Sequence, residues 1–195
     1  TVPLFPAGTQ VSYQSVGTNL IAETVRIVSG LPIAEFLQQE VFDKLGLKSI
    51  ALGSKTLDRR RLVRVEMQAG HDASFGWNSR YWQELGSPWG GLFSTAADFA
   101  VICQLMLGLG RVGETRIAAP ATVRAMTRNQ LLNLPDLPES VARTQPWGLG
   151  WRLNHPGTDD SWGELLGPRT FGHTGATGTL VWMDPDTEVF CVLLT

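Results

Sequence analysis

The chain is poor in the side chains that hold metals, cross membranes or grip nucleic acid. It has only two cysteines, Cys103 and Cys191, and three histidines among 195 residues. The available donors are His71-Asp72, His155, Asp159-Asp160 and His173. They follow no zinc spacing such as H-E-x-x-H or paired C-x-x-C. No metal is therefore expected, and no other cofactor is implied. No apolar run approaches the ~18 residues that span a bilayer, so no transmembrane segment is expected. Sixteen basic against eighteen acidic residues give a net charge of −2. That balance implies no basic face and no nucleic-acid partner. Cys103 lies in a helical apolar stripe and Cys191 in a strand-like run. Both read as small core residues, and neither reports a redox compartment.

The most informative stretch is Phe171-Gly172-His173-Thr174-Gly175-Ala176-Thr177-Gly178, followed by the strand-like Thr179 to Pro185. Gly167, Gly172, Gly175 and Gly178 surround and interrupt a β-prone run. Glycine weakens a strand unless something approaches the backbone closely. The stretch reads either as the wall of a ligand site or as a β-bulge in an ordinary strand.

The remaining pattern is helices first and strands last. Pro6-Ala7-Gly8-Thr9 is a turn. After Val11 to Ser15, Leu20, Thr24, Ile27 and Val28 recur at helical spacing up to Gly30. Pro32 opens a second helix, Ile33 to Leu45, closed by Gly46. Residues from Ser54 to Ser87 show no clean period, and Arg59-Arg60-Arg61 reads as a solvated loop or helix face. Asn78 to Trp89 reads as a long loop lining a pocket. Thr95 and Asp98 form a capping pattern before a helix with the stripe Phe99, Ile102, Cys103, Met106 and Leu107. Pro120 to Met126 is a short helix, and Asn133 to Pro146 is loop. Strands are predicted over Trp147–Leu153, about Phe171–Met183 and Glu188–Leu194, with Asp184-Pro185-Asp186-Thr187 joining the last two. The fold class is α+β. Residues 1 to about 145 are mostly helical, and about 146 to 195 form antiparallel strands. Thr1 is not an initiator, and the run Glu188 to Thr195 stops without a closing element. The chain is therefore expected to be a piece of a longer protein, poorly stable alone because its sheet exposes edges.

Five motifs fall in one order: Phe5-Pro6-Ala7-Gly8-Thr9 with Ser12-Tyr13; Glu35-Phe36-Leu37 with Phe42-Asp43-Lys44-Leu45-Gly46-Leu47; Gly90 to Asp98; Trp147-Gly148-Leu149-Gly150-Trp151; and Gly172-His173-Thr174-Gly175. Over nearly the whole chain this order resembles the serine β-lactamase and penicillin-binding-protein-like superfamily. The nearest branch is that of class C β-lactamases, family VIII carboxylesterases and D-amino-peptidases. The resemblance implies a β-lactamase/transpeptidase-like fold, an antiparallel sheet flanked by helices with a helical subdomain. It also implies a site of three elements, S-x-x-K, Y-x-N and K-T-G or H-T-G, in which the serine attacks a carbonyl and becomes acylated.

Tyr13 matches the family tyrosine, the catalytic proton shuttle. A free phenol titrates near pH ~10, so this role needs a neighbouring cation, which the family's lysine supplies. The residues alone allow a half-buried tyrosine packed at a helix start. Ser15 stands where the family usually has asparagine. It offers one hydroxyl toward substrate, or serves as a helix N-cap. His173, Thr174 and Gly175 match the third motif. The resemblance makes Thr174 a hydrogen-bonding partner of substrate and gives the Ala176 N–H half of the oxyanion hole, the other half being the serine's own N–H. His173 replaces the lysine of many β-lactamases, or is a structural histidine bonded across strands. A histidine, titrating near pH ~6.5, is no permanent cation at neutral pH. An anionic β-lactam should then be held less well, which favours esters or peptides. Trp147 and Trp151 line an acyl pocket or belong to the core.

No serine in the chain has a lysine three positions later. Ser140-Val141-Ala142-Arg143 comes nearest, on the wrong side of Tyr13. The S-x-x-K element is expected upstream of Thr1, and the piece alone is expected to be inactive. The expected function is a serine hydrolase acting through an acyl-enzyme on an ester, amide or β-lactam carbonyl, with esters preferred. The alternatives are a β-lactamase, a D-Ala-D-Ala carboxypeptidase or D-aminopeptidase, and a non-catalytic homologue that binds peptidoglycan fragments. The expected partner is a small ester, β-lactam or D-amino-acid peptide.

Overall fold

A computed structural model describes residues 3–66, 74–155 and 162–195. His71, Asp72, Asp159 and Asp160 lie outside them. The residues gather into two compact units. One takes in the stretch up to Tyr13, residues 102–174 and residues 180–193; the other takes in residues 14–101, the loop 175–179 and residues 194–195.

In the second unit the first helical stripe forms α1 (Val16–Ser29), and Gly30 ends it with φ 76°, its N–H donating to the Arg26 carbonyl at 2.9 Å. Only Ala22 of α1 is buried; Ile27 and Val28 are 69% and 82% exposed. The second expected helix changes pitch. α2 (Ile33–Leu37) passes into a π turn at Gln38–Phe42, in which the Asp43 N–H reaches back to the Gln38 carbonyl at 2.8 Å. The extra residue per turn shifts the register of the face, and Phe42 is buried there. The expected loop from Asn78 to Trp89 contains a helix, α3 (Arg80–Leu85). Its cap is Ser79, whose hydroxyl accepts from the Trp82 N–H at 3.1 Å, and Arg80 pairs with Glu84 one turn on at 2.7 Å.

The short antiparallel pair β1 (Ala51–Leu52) and β2 (Leu92–Phe93) completes this part of the unit. The triple arginine run forms a 3-10 turn whose side chains act as exposed struts. Arg60 folds onto Asp58 at 2.8 Å and holds that carboxyl below its usual range. Arg59 reaches Gln83 at 3.3 Å, and Arg61 reaches the Ser49 hydroxyl at 3.3 Å.

The helix predicted after Thr95 is α4 (Ala96–Leu107). The capping pattern is used differently at its two ends. Thr95 Oγ1 accepts from the Asp98 N–H at 3.2 Å, but the Asp98 carboxylate turns away to accept from Lys48 and Ser49 N–H groups at 3.0 and 2.6 Å. Of the predicted stripe Cys103 and Met106 are buried, joined by Leu105.

In the first unit a hairpin of β3 (Arg111–Val112) and β4 (Thr115–Arg116) precedes α5 (Pro120–Met126), which has the predicted bounds. The expected loop from Asn133 to Pro146 holds a further helix, α6 (Glu139–Thr144), steadied by an Arg143–Glu139 pair at 2.6 Å. The strand expected over Trp147–Leu153 is mostly a tight turn. Its large-small alternation arises because the Gly148 N–H closes on the Trp151 carbonyl at 2.8 Å, leaving only β5 (Arg152–Leu153) extended.

The single strand expected over Phe171–Met183 is a hairpin, β6 (Phe171–Thr174) and β7 (Leu180–Asp184). β8 (Val189–Leu193) follows, and the antiparallel order is β5-β6-β7-β8. Asp184, 2% exposed, anchors the β7–β8 turn by accepting from the Asp186 N–H at 3.0 Å and the Thr187 hydroxyl at 2.7 Å. This core is built on Met183, Phe171, Val123, Leu153 and Cys103. Cys191 is only half-buried, because it lies on edge strand β8.

Two outcomes follow from this packing. Met183 is 0% exposed, so Met183→Ala should destabilise the full-length protein by ~2–5 kcal/mol in urea unfolding, through lost transfer energy and a cavity. Burial pushes the Cys103 thiol up to about 12. Thiolate is the reactive form, and at pH ~8 almost none is present on that side chain. Iodoacetamide followed by peptide mass mapping should leave Cys103 unmodified in the native protein and label it once the chain is unfolded.

Candidate active site

His173 and Thr174 occupy the last two rungs of β6, opposite Val181 and Leu180 of β7. This register depends on Gly172. A Cβ at that position would run into the Val181 carbonyl and lie 2.8 Å from the Trp182 Cα. The close approach that the sequence demands at Gly172 is therefore made by the neighbouring strand. In the loop 175–179, Gly175 donates its N–H to the Thr179 carbonyl at 2.8 Å, and a Cβ there would overlap the Thr179 hydroxyl. Unlike the backbone clash at Gly172, this contact is with a side chain that can rotate, so the hairpin itself does not demand a glycine here.

Three rings meet in the first unit. Tyr13 lies 5.8 Å from His173 and 5.9 Å from Trp147, between ring centres, and Trp147 lies 5.7 Å from His173. Contacts of this kind contribute ~0.5–1.5 kcal/mol each beyond area burial. The backbone of Trp147 is fixed next to the end of α5, its carbonyl accepting from the Gln130 N–H at 2.8 Å while the Leu149 N–H donates to Met126 at 2.9 Å. Tyr13 is 69% exposed, not the half-buried packing residue that the local pattern allowed. It is positioned by its ring, and among the described residues its hydroxyl has no hydrogen-bond partner.

The Nδ1 of His173 lies 2.6 Å from the Thr174 carbonyl oxygen. Two acceptors would repel at that distance, so Nδ1 carries the proton. The other expected site residues belong to the second unit. Ser15 occupies the cap position of α1 but makes no side-chain cap bond. Gln14 performs that task, its Oε1 accepting from the Gly17 N–H at 2.9 Å. The sequence signal for Gln14 was its place three residues before a glycine at the helix start; the reading of Ser15 as cap passed over it. Ala176 is exposed, and among the described residues its N–H has no protein acceptor. Among the described residues no three metal-donor side chains converge, and no helix is long and apolar enough to cross a membrane.

The Beta-lactamase family model matches residues 1–195. A putative D-alanyl-D-alanine carboxypeptidase of Salmonella schwarzengrund is 27% identical over 97% of this chain and 46% of its own length. The chain spans about half the length of the curated relatives it matches. A solved β-lactamase from Mycobacterium bovis superposes with a TM-score of 0.69 at 25% identity, over 98% of this chain and 58% of that one. A solved family VIII carboxylesterase superposes with a TM-score of 0.73 at 20% identity, over 98% of this chain and 54% of that one. The α+β architecture, with its antiparallel sheet and helices, is the β-lactamase/transpeptidase-like fold, and the chain belongs to the β-lactamase family, a family of serine hydrolases.

Proposed function

We propose that the full-length protein is a serine hydrolase that cleaves an ester or amide through an acyl-enzyme, with esters preferred. The observation that carries this reading is the contact of Tyr13 with His173, 5.8 Å between ring centres, at two positions that match separate family motifs. In the proposed reaction a serine hydroxyl attacks the substrate carbonyl carbon, and the C–O or C–N bond to the leaving group breaks. The hydroxyl proton passes through the Tyr13 oxygen to the leaving alcohol or amine. Water then attacks the acyl carbon, releases the carboxylic acid and restores the serine. In this reading the serine and its lysine would be contributed by sequence other than these 195 residues, in which no S-x-x-K occurs.

The unpaired Ala176 N–H would donate to the oxyanion as charge develops in the transition state. Thr174 and Ser15 would hold polar groups of the substrate, and Gly175 lets its backbone come close. The ester preference rests on His173, which offers a β-lactam carboxylate no permanent cation. A peptide substrate ending in D-alanine is the second reading, favoured by the description of the Salmonella relative as a putative D-alanyl-D-alanine carboxypeptidase.

Tyr13→Phe in the full-length protein should lower kcat by ~10²-fold or more, since the proton must then move without its relay. An unchanged kcat removes Tyr13 from the mechanism. Parallel assays with a short-chain nitrophenyl ester and a chromogenic cephalosporin test the preference. Strong cephalosporin turnover without ester cleavage overturns it.

A further inference from the structure

The second unit contains a cavity of about 690 Å³ lined by Arg64, Glu66, Trp77, Ala176, Thr177 and Thr195, with Val65 between the two charges. No side chain of the stretch from Asn78 to Trp89, expected to line a pocket, forms its wall. That stretch supplies a clamp instead. Asn78 Oδ1 accepts from the Val65 N–H at 2.8 Å, and its Nδ2 donates to the Val65 carbonyl at 2.7 Å. Both backbone groups of Val65 are thereby held as they would be by a neighbouring strand. Opposite, the Thr195 hydroxyl donates to the Thr177 carbonyl at 2.8 Å and ties the wall that carries Ala176.

Arg64 and Glu66 are opposite charges two residues apart on this clamped segment. Among the described residues neither makes a hydrogen bond or ion pair, with the other or with anything else. Exposed arginines elsewhere in the unit find partners: Arg26 with Glu23, Arg60 with Asp58, Arg80 with Glu84. The guanidinium offers a planar fork of donors that matches a carboxylate, and a carboxylate accepts from an ammonium. Trp77 adds an aromatic side chain to the same lining.

We infer that this cavity is a subsite for a zwitterionic, amino-acid-like group. Arg64 takes its carboxylate, Glu66 takes its ammonium, and Trp77 flanks its carbon chain. The inference deepens the proposed hydrolase reading, on which it rests for one point only: that the Ala176 N–H faces the scissile carbonyl. The substrate's acyl portion then carries both charges a short chain away from that carbonyl.

Four matched N-methylamides test the subsite by calorimetric titration of the full-length protein: γ-glutamyl with both charges, glutaryl with the carboxylate alone, 4-aminobutyryl with the ammonium alone, and butyryl with neither. The γ-glutamyl amide should bind at least about tenfold more tightly than the butyryl amide. Arg64→Gln should erode the advantage of the two carboxylate-bearing probes, and Glu66→Gln that of the two ammonium-bearing ones. The corresponding nitrophenyl esters should show the same order in kcat/KM, and each variant should lower the ratio for its own charge. Four probes of equal affinity, or a ranking untouched by either substitution, overturn the subsite. Ranked binding with no ester turnover keeps the subsite and removes the hydrolase reading. Ester turnover without ranking does the reverse.

Discussion

The close seating of β6 on β7 at Gly172 is the constraint on which the proposed site depends. Without a side chain there, the two strands approach until a Cβ would have no room. That approach fixes one register, with His173 opposite Val181 and Thr174 opposite Leu180. A slip of one residue would send every side chain of the strand to the other face. The register also sets where the hairpin turns. Pairing ends at Thr174 and Leu180, so the loop 175–179 must close in five residues. It does so with the Gly175 N–H on the Thr179 carbonyl, and among the described residues the Ala176 N–H has no protein acceptor. A single missing methyl group thus positions one ring and keeps one backbone donor available.

The ring cluster solves a different problem. In the proposed mechanism the tyrosine that shuttles protons must be held still without spending its hydroxyl on the protein. Tyr13 is held by ring contacts with Trp147 and His173 instead. Trp147 can do this because its carbonyl accepts from the Gln130 N–H just beyond α5, and Leu149, two residues on, donates to the Met126 carbonyl at the end of α5. Trp147 sits in a strand-like alternation of large and small residues that allows either an acyl pocket or the core. The structure assigns it a half-buried place against the other two rings. The exposure of Tyr13 leaves the phenol oxygen accessible to substrate and to the lysine expected of the family.

What could be read from the sequence divides along physical lines. α1, α4, α5 and the β7–β8 turn carry long stripes or strong local stop signals, and each lies where those signals put it. α3 and α6 have six residues each, too few for a periodic stripe, and their signals are a serine cap and one ion pair. The π turn at Gln38–Phe42 keeps a helical composition while changing pitch, which composition cannot express. The β6–β7 hairpin was hidden because Thr177 and Thr179 are as β-prone as the strands around them. In the site, Tyr13 and His173 were legible through motif order. The cavity was not, since Arg64 and Glu66 belong to no motif and acquire meaning only from the Asn78 clamp and from having no partners among the described residues.

The substitution of histidine for lysine on β6 has a counterpart in that cavity. A lysine at position 173 would place a permanent cation on the strand. His173 gives its Nδ1 proton to the Thr174 carbonyl, and its ring carries no fixed charge to offer an anion when neutral. The guanidinium of Arg64 cannot be neutralised at any ordinary pH, and it lines the same cavity as Ala176. Within the second unit the cavity wall thus carries a fixed positive charge, with a carboxylate two residues along the same segment. A site arranged this way selects on the charged end of the acyl group. A β-lactam nucleus presents an anion alone, whereas an amino-acid-like acyl group would meet both charges of the proposed subsite.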